Sequence, residues 1–109
     1  MDRKTLKYLW DILEYSRQIE EMVGGLSFDE YTKDRRLMLA VERCLEIIGI
    51  ALAEADKLRT DLPISDKAKI IGMRNIIAHG YDTIESVNVW NAIKKNLPIL
   101  KNEVEALLP

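Results

Sequence analysis

Apolar residues recur along this chain at steps of three and four, the spacing that puts side chains on one side of an α-helix. From Arg3 to Val23, Leu6, Leu9, Leu13 and Ile19 fall near one side, with Tyr8, Ile12, Tyr15 and Met22 beside them. So wide an apolar arc predicts a first helix packed on more than one neighbour and closed by Gly24-Gly25. Ser27 and Glu30 have capping-box spacing and predict a short helical turn through Tyr31. Asp34 is placed to cap a long second helix, about Arg35 to Arg59. Along it Leu37, Val41, Cys44, Ile48, Ala51, Ala55 and Leu58 follow at steps of four and three, the seam of a bundle. Ile47 and Ile50 widen that stripe, and suit a subunit contact or a contact with another helix of the same chain equally well.

Past a short connection from Thr60 to Ile64 that contains Pro63, Ser65 is placed to cap a third helix, about Asp66 to Ala78. Gly72 inside it weakens that helix by roughly 1 kcal/mol relative to alanine. Close approach of another backbone is one reason for a glycine there, and chance is another. Asp82 and Glu85 have capping-box spacing for a fourth helix, whose Trp90, Ile93, Leu97, Leu100, Val104 and Leu107 again alternate steps of three and four. Pro98 lacks an amide hydrogen, so this helix is expected as two pieces meeting at Leu97-Pro98. The expected fold class is all-α: one domain over residues 1–109, a four-helix up-and-down bundle with a kinked last helix. A bundle this small keeps much apolar surface near its outside, which favours oligomerisation.

Composition narrows the chemistry. A net charge of −2 gives no whole-molecule attraction to nucleic acid, so any RNA contact needs a local basic patch. Candidates are Lys67, Lys69 and Arg74 on the third helix, and Arg35 and Arg36 at the start of the second. The single cysteine, Cys44, excludes an intramolecular disulfide and reads as core on its apolar seam. One histidine and no cysteine pair argue against zinc, and Asp82 and Glu85 are explained more simply as caps than as cation ligands. No glycine-rich phosphate loop follows a strand, so neither a metal nor a cofactor is expected. The segment from Asp2 to Lys7 is charged and no apolar run approaches about 18 residues, so no signal peptide or membrane span is expected, and the setting is cytoplasmic.

One stretch is chemically unusual: Arg74-Asn75-Ile76-Ile77-Ala78-His79-Gly80-Tyr81. On a helical wheel Arg74 falls among Ile70, Ile71, Met73 and Ile77, in the middle of the apolar face. A guanidinium keeps its charge, so that position calls for a partner, a phosphate or an internal cleft. Arg74 and His79 lie about 140° apart on a continuous helix, so their side chains converge only where the helix breaks near His79. Gly80 supplies such a break, and Tyr81 emerges just past it with a phenol able to donate or accept a hydrogen bond. A structural reading is also available: His79 at a helix C-terminus with Gly80 as cap, Arg74 on a buried carboxylate, and Tyr81 packed on the fourth helix.

These residues resemble the Arg-x4-His signature of the HEPN superfamily and, with Tyr81, the Arg-x4-His-x-Tyr form of its HepT branch. Leu45-Glu46-Ile47-Ile48-Gly49, Trp90 and Leu97-Pro98-x-Leu100 extend the resemblance along most of the chain. Many relatives have a glutamate after the Ile-Ile-Gly step, where this chain has Ile50. Together, an imidazole taking the proton from a ribose 2′-OH and a guanidinium on the phosphate can cleave RNA without metal, leaving a cyclic phosphate and a 5′-hydroxyl. One histidine supplies only acid or base, and the resemblance implies a two-fold homodimer that sets two Arg74/His79 pairs around one cleft, with Asn75 and Tyr81 in support. It further implies a toxin–antitoxin pair in which a nucleotidyltransferase antitoxin of the MntA type adds AMP to Tyr81. The alternatives are a non-catalytic accessory partner of a small nucleotidyltransferase and a purely structural dimerisation domain.

Overall fold

The computed structural model describes residues 1–79 and 85–109, and of His79 the backbone alone. Over these residues the chain is all-helical: α1 (Arg3–Val23), a short α2 (Phe28–Thr32), α3 (Arg35–Leu58), α4 (Lys67–His79), α5 (Ser86–Asn91), a π-helical turn (Ala92–Asn96) and α6 (Leu97–Leu107). None of the described helices is long and apolar enough to cross a membrane.

Local chemistry sets the helix ends. Asp2 accepts from the Thr5 N–H, and that bonding holds its carboxyl below the usual carboxylate range. Gly25 takes a left-handed φ of 79° just past α1, a conformation open to glycine at little cost. At α2 both halves of the capping box form: Glu30 N–H donates to Ser27 Oγ at 3.1 Å, and Ser27 N–H donates to Glu30 Oε1 at 3.0 Å. Asp34 accepts from Leu37 N–H at 3.0 Å and opens α3.

Two expected caps differ. Ser65 gives its N–H and hydroxyl to the Glu103 carboxylate of α6, and the first α4 bond runs from Ile70 N–H to Asp66 O. A carboxylate from another helix outcompetes the local cap because a charged acceptor makes the stronger bond. Glu85 is extended and precedes α5 without a side-chain cap bond, so it does not sit three residues inside a helix as a capping box requires. The expected cap Asp82 and terminator Gly80 lie outside the described residues.

α3 is the central rod. Its seam buries Val41, Cys44, Ile48, Ala51 and Ala55, and Leu45, Gly49 and Leu52 form a second buried line. Those two lines let α3 pack on α1 and on α4 at once, with Leu9, Ile12, Leu13 and Ile19 of α1 closing the core. Cys44 belongs to this core, where burial pushes its thiol pKa up and quenches its reactivity. Leu58, the last seam residue, is exposed because the helix ends there. Leu62 and Ile64 of the connection are buried, an apolar plug that periodicity alone does not mark. Ile47 is half-buried and Ile50 exposed, so Ile50 is not covered by the chain's own core.

The last helix deviates one turn earlier than expected. Leu97 N–H reaches back five residues to Ala92 O, and α6 begins at Leu97 with Pro98 in its first turn. Pro98 has no hydrogen to donate, and its ring crowds the carbonyl four residues back, so a widened turn before it relieves the clash. Trp90 ties α5 to α2: its ring centroid lies 5.0 Å from Tyr31 and 6.0 Å from Phe28, and Lys94 Nζ sits 4.7 Å above it.

Candidate active site

α4 runs antiparallel along α3, as two contacts fix. Lys67 Nζ pairs with Asp56 at 2.9 Å, while seven residues later Arg74 lies against Gly49. The side of α4 carrying Ile70 meets α3, and Ile70 is buried with Ile71, Met73 and Ile77 packed on the core. Arg74 shares that side and is half-buried.

Gly49 is what admits it. A Cβ at position 49 would lie 2.4 Å from Arg74 Cβ, 3.2 Å from its Cγ and 3.3 Å from Ile70 O, closer than packed carbon atoms approach. The missing side chain lets α4 press onto α3 and fixes the stem of Arg74. Gly72, for which close approach and chance are both open from the sequence, has nothing within 4 Å of its Cβ position. The signal for Gly49 was nevertheless present: it follows Leu45 and precedes Leu52 at steps of four and three, a glycine in the place of a seam residue.

The Arg74 head turns to its neighbour. Nε and Nη2 donate to Asn75 Oδ1 at 3.0 and 2.7 Å, a fork on one amide oxygen that orients the guanidinium plane. Asn75 is exposed and Arg74 half-buried, so the pair lies at the boundary between core and solvent. A guanidinium held there can accept a phosphate with its remaining N–H groups.

α4 keeps a helical backbone through position 79, so the 100° period leaves about 140° between positions 74 and 79. The His79 side chain and all of Tyr81 lie outside the described residues. The basic candidates separate. Lys67 is held by Asp56 and by Thr60 O at 3.2 Å. Lys69 is exposed on α4. Arg35 and Arg36 are exposed at the far end of α3, where thirteen residues of helix, about 20 Å, separate Arg36 from Gly49. The structure therefore groups Arg74 with Asn75, and leaves Arg35 and Arg36 remote from that pair.

The comparisons with known proteins agree with one another. The family model described as "Ribonuclease HepT-like" matches residues 12–107. "Putative RNase MJ1216" of Methanocaldococcus jannaschii is 31% identical over 110 residues, covering 99% of this chain and 91% of that protein. "Probable ribonuclease HepT" of Thermococcus cleftensis is 32% identical over 111 residues, covering 98% of both. "Putative RNase TTE0752" of Caldanaerobacter subterraneus is 34% identical over 102 residues, covering 93% and 91%. No solved structure matches. With nearly the whole chain inside one family model, and end-to-end relatives above 30% identity, the chain belongs to the HepT-like ribonuclease family.

Proposed function

We propose that the chain is a metal-independent endoribonuclease in which Arg74 and His79 carry the reaction. His79 takes the proton from a ribose 2′-OH, the freed oxygen attacks the adjacent phosphorus, and the P–O5′ bond breaks to leave a cyclic phosphate and a 5′-hydroxyl. Arg74 binds the phosphate and stabilises the charge that builds on its oxygens in the pentacoordinate transition state. Asn75 orients the guanidinium, and the bond distances of 3.0 and 2.7 Å support that role.

The leaving 5′-oxygen needs a proton, and a second imidazole from a two-fold mate supplies it. The helical period supports that assembly, since positions 74 and 79 diverge on one continuous helix and two copies facing each other can bring opposite members together. The exposed Ile50, three residues from the Glu46–Ile47 stretch of α3, adds apolar surface for such a contact. In this reading the protein is the toxin of a toxin–antitoxin pair, and a nucleotidyltransferase antitoxin silences it by AMPylation of Tyr81. The added phosphate brings negative charge to the chain at Tyr81 and repels RNA.

The observation that carries the reading is the Arg74 fork on Asn75 Oδ1, its stem packed against Gly49, within a chain of the HepT-like family that also holds His79 and Tyr81. The test is RNA cleavage by the purified chain in EDTA, with products scored for cyclic phosphate. His79→Ala should abolish cleavage and toxicity on expression, with helicity and mass in solution unchanged. Expression of the chain with a nucleotidyltransferase should add AMP, read by mass spectrometry, to Tyr81 and not to a Tyr81→Phe variant. Silent expression, no cleavage and tight complex formation would instead identify a non-catalytic accessory subunit.

A further inference from the structure

The other side of α4 is open. Between it and the wall made by α5 and the π-helical turn lies a groove of about 500 Å³. Lys69, Gly72 and Ile76 line it from α4, and Asn88, Asn91 and Lys95 line it from the opposite wall. Met73 and Val89 add apolar surface, and Glu85 is the one carboxylate among its described lining residues. Positions 69, 72, 76 and 79 recur at steps of three, four and three, so the groove follows the stripe of α4 that ends at position 79.

Three features of the groove match one kind of occupant. Gly72 leaves open space where a Cβ would stand, and Ile76 beside it is half exposed, so a flat apolar group can lie directly on the helix. Asn88 and Asn91 are exposed and one turn apart on α5, each offering both a donor and an acceptor. Lys69 and Lys95 stand on opposite walls. Among the described residues neither joins an ion pair, whereas Lys67 and Lys101 are bound to Asp56 and Glu20, and Lys94 sits over Trp90. A nucleobase has apolar faces and a polar edge, with a phosphate on either side, and single-stranded RNA presents bases in that splayed form.

We propose that this groove is a subsite for one unstacked nucleotide of the RNA, with Asn88 and Asn91 on the base edge and Lys69 and Lys95 on the flanking phosphates. The assignment rests on the RNA-cleavage reading above, and it adds that the chain selects single-stranded RNA and discriminates the base beside the cut.

Three variants test it: Lys69→Ala with Lys95→Ala, Asn88→Ala with Asn91→Ala, and Gly72→Leu, which fills the groove. The first two change only exposed side chains, so they keep the test valid should Gly72→Leu fold poorly by circular dichroism. Binding of a fluorescein-labelled mixed-sequence single-stranded oligoribonucleotide is measured by anisotropy in the His79→Ala background, and cleavage in the unsubstituted one. Each variant should raise Kd or KM by about tenfold or more. The lysine variant should also flatten the slope of log Kd against log salt by about 1.4, and the asparagine variant should redistribute the cut positions. If the parent chain cuts RNA and all three variants cut the same steps with unchanged KM, the subsite is wrong and the nuclease reading stands. If nothing is cut but the variants still weaken binding tenfold, the subsite stands as an RNA site and the nuclease reading is lost. If the parent chain neither cuts nor binds RNA, both are lost.

Discussion

The two sides of α4 are built in opposite ways. Toward α3 the helix is pressed so closely that position 49 has no room for a Cβ, and Ile70 and the Arg74 stem are locked in place. Toward α5 it stands apart, with Gly72 facing open space and Ile76 half exposed. A site needs both: one side rigid enough to aim a guanidinium, the other open enough to admit a ligand. The same residue type marks each, glycine as close contact at 49 and glycine as clearance at 72.

The largest test of this contrast is at the far wall of the open side. Trp90→Ala removes the ring that α2 holds through Tyr31 and Phe28, and should cost about 3 kcal/mol in urea unfolding. It should also weaken RNA binding, because α5 loses its anchor. Unchanged stability would mean that α5 is held by something other than the aromatic cluster.

Next comes the tight side. Gly49→Ala should destabilise by roughly 1–3 kcal/mol, because the new methyl meets Arg74 Cβ and the Ile70 carbonyl, not the mobile end of a side chain. Cleavage should fall with it as Arg74 is displaced. A variant as stable and active as the parent would remove Gly49 from the account.

The aromatic anchor also gives a pH test. Tyr31 is fully buried, and burial, with the nearby Glu42 carboxylate, pushes its phenol up to about 12 from 10.0. The folded-state pKa is the higher one, so this tyrosine's contribution is intact below pH 10 and is lost as pH rises toward 12, where the unfolded chain ionises first. The loss should reach roughly 2–3 kcal/mol, and Tyr31→Phe should remove it, as urea midpoints measured across that range will show. Parallel pH profiles for both chains would contradict the burial of that hydroxyl.

The smallest effect has the opposite sign. Gly72→Ala should raise stability by up to about 1 kcal/mol, since alanine favours helix and nothing obstructs its methyl. A loss at position 72 comparable to that at 49 would erase the contrast between the two sides.

Much of this architecture is legible in the chain. The seams of α1, α3 and α6 follow from steps of three and four, and Ser27 and Asp34 occupy positions where a short polar side chain can meet a free N–H, whereas the Asp2 cap of α1 emerges only from the structure. The wheel placed Arg74 on the apolar side of its helix, where it lies against α3. Several of the misses depend on what another element brings, and the rest on where a helix starts or how its own turns repack. Ser65 has a local role until Glu103 arrives from α6, and a glycine's contacts cannot be read from its own helix: the close approach that is one of two readings of Gly72 occurs at Gly49. Glu85 fails as an inner capping residue because α5 starts after it. Pro98 signals a break, but the compensating π-helical turn is a matter of how the preceding carbonyls repack. The groove is likewise invisible from sequence, since its two walls come from separate helices.

The most direct test of the central claim is single-turnover cleavage of a labelled RNA in EDTA by the parent chain, Arg74→Ala and His79→Ala, with urea midpoints measured alongside. The account predicts a cut ending in cyclic phosphate for the parent and losses of about 10²-fold or more for each variant, with His79→Ala leaving the midpoint unchanged. Full-rate cleavage by either variant would contradict it.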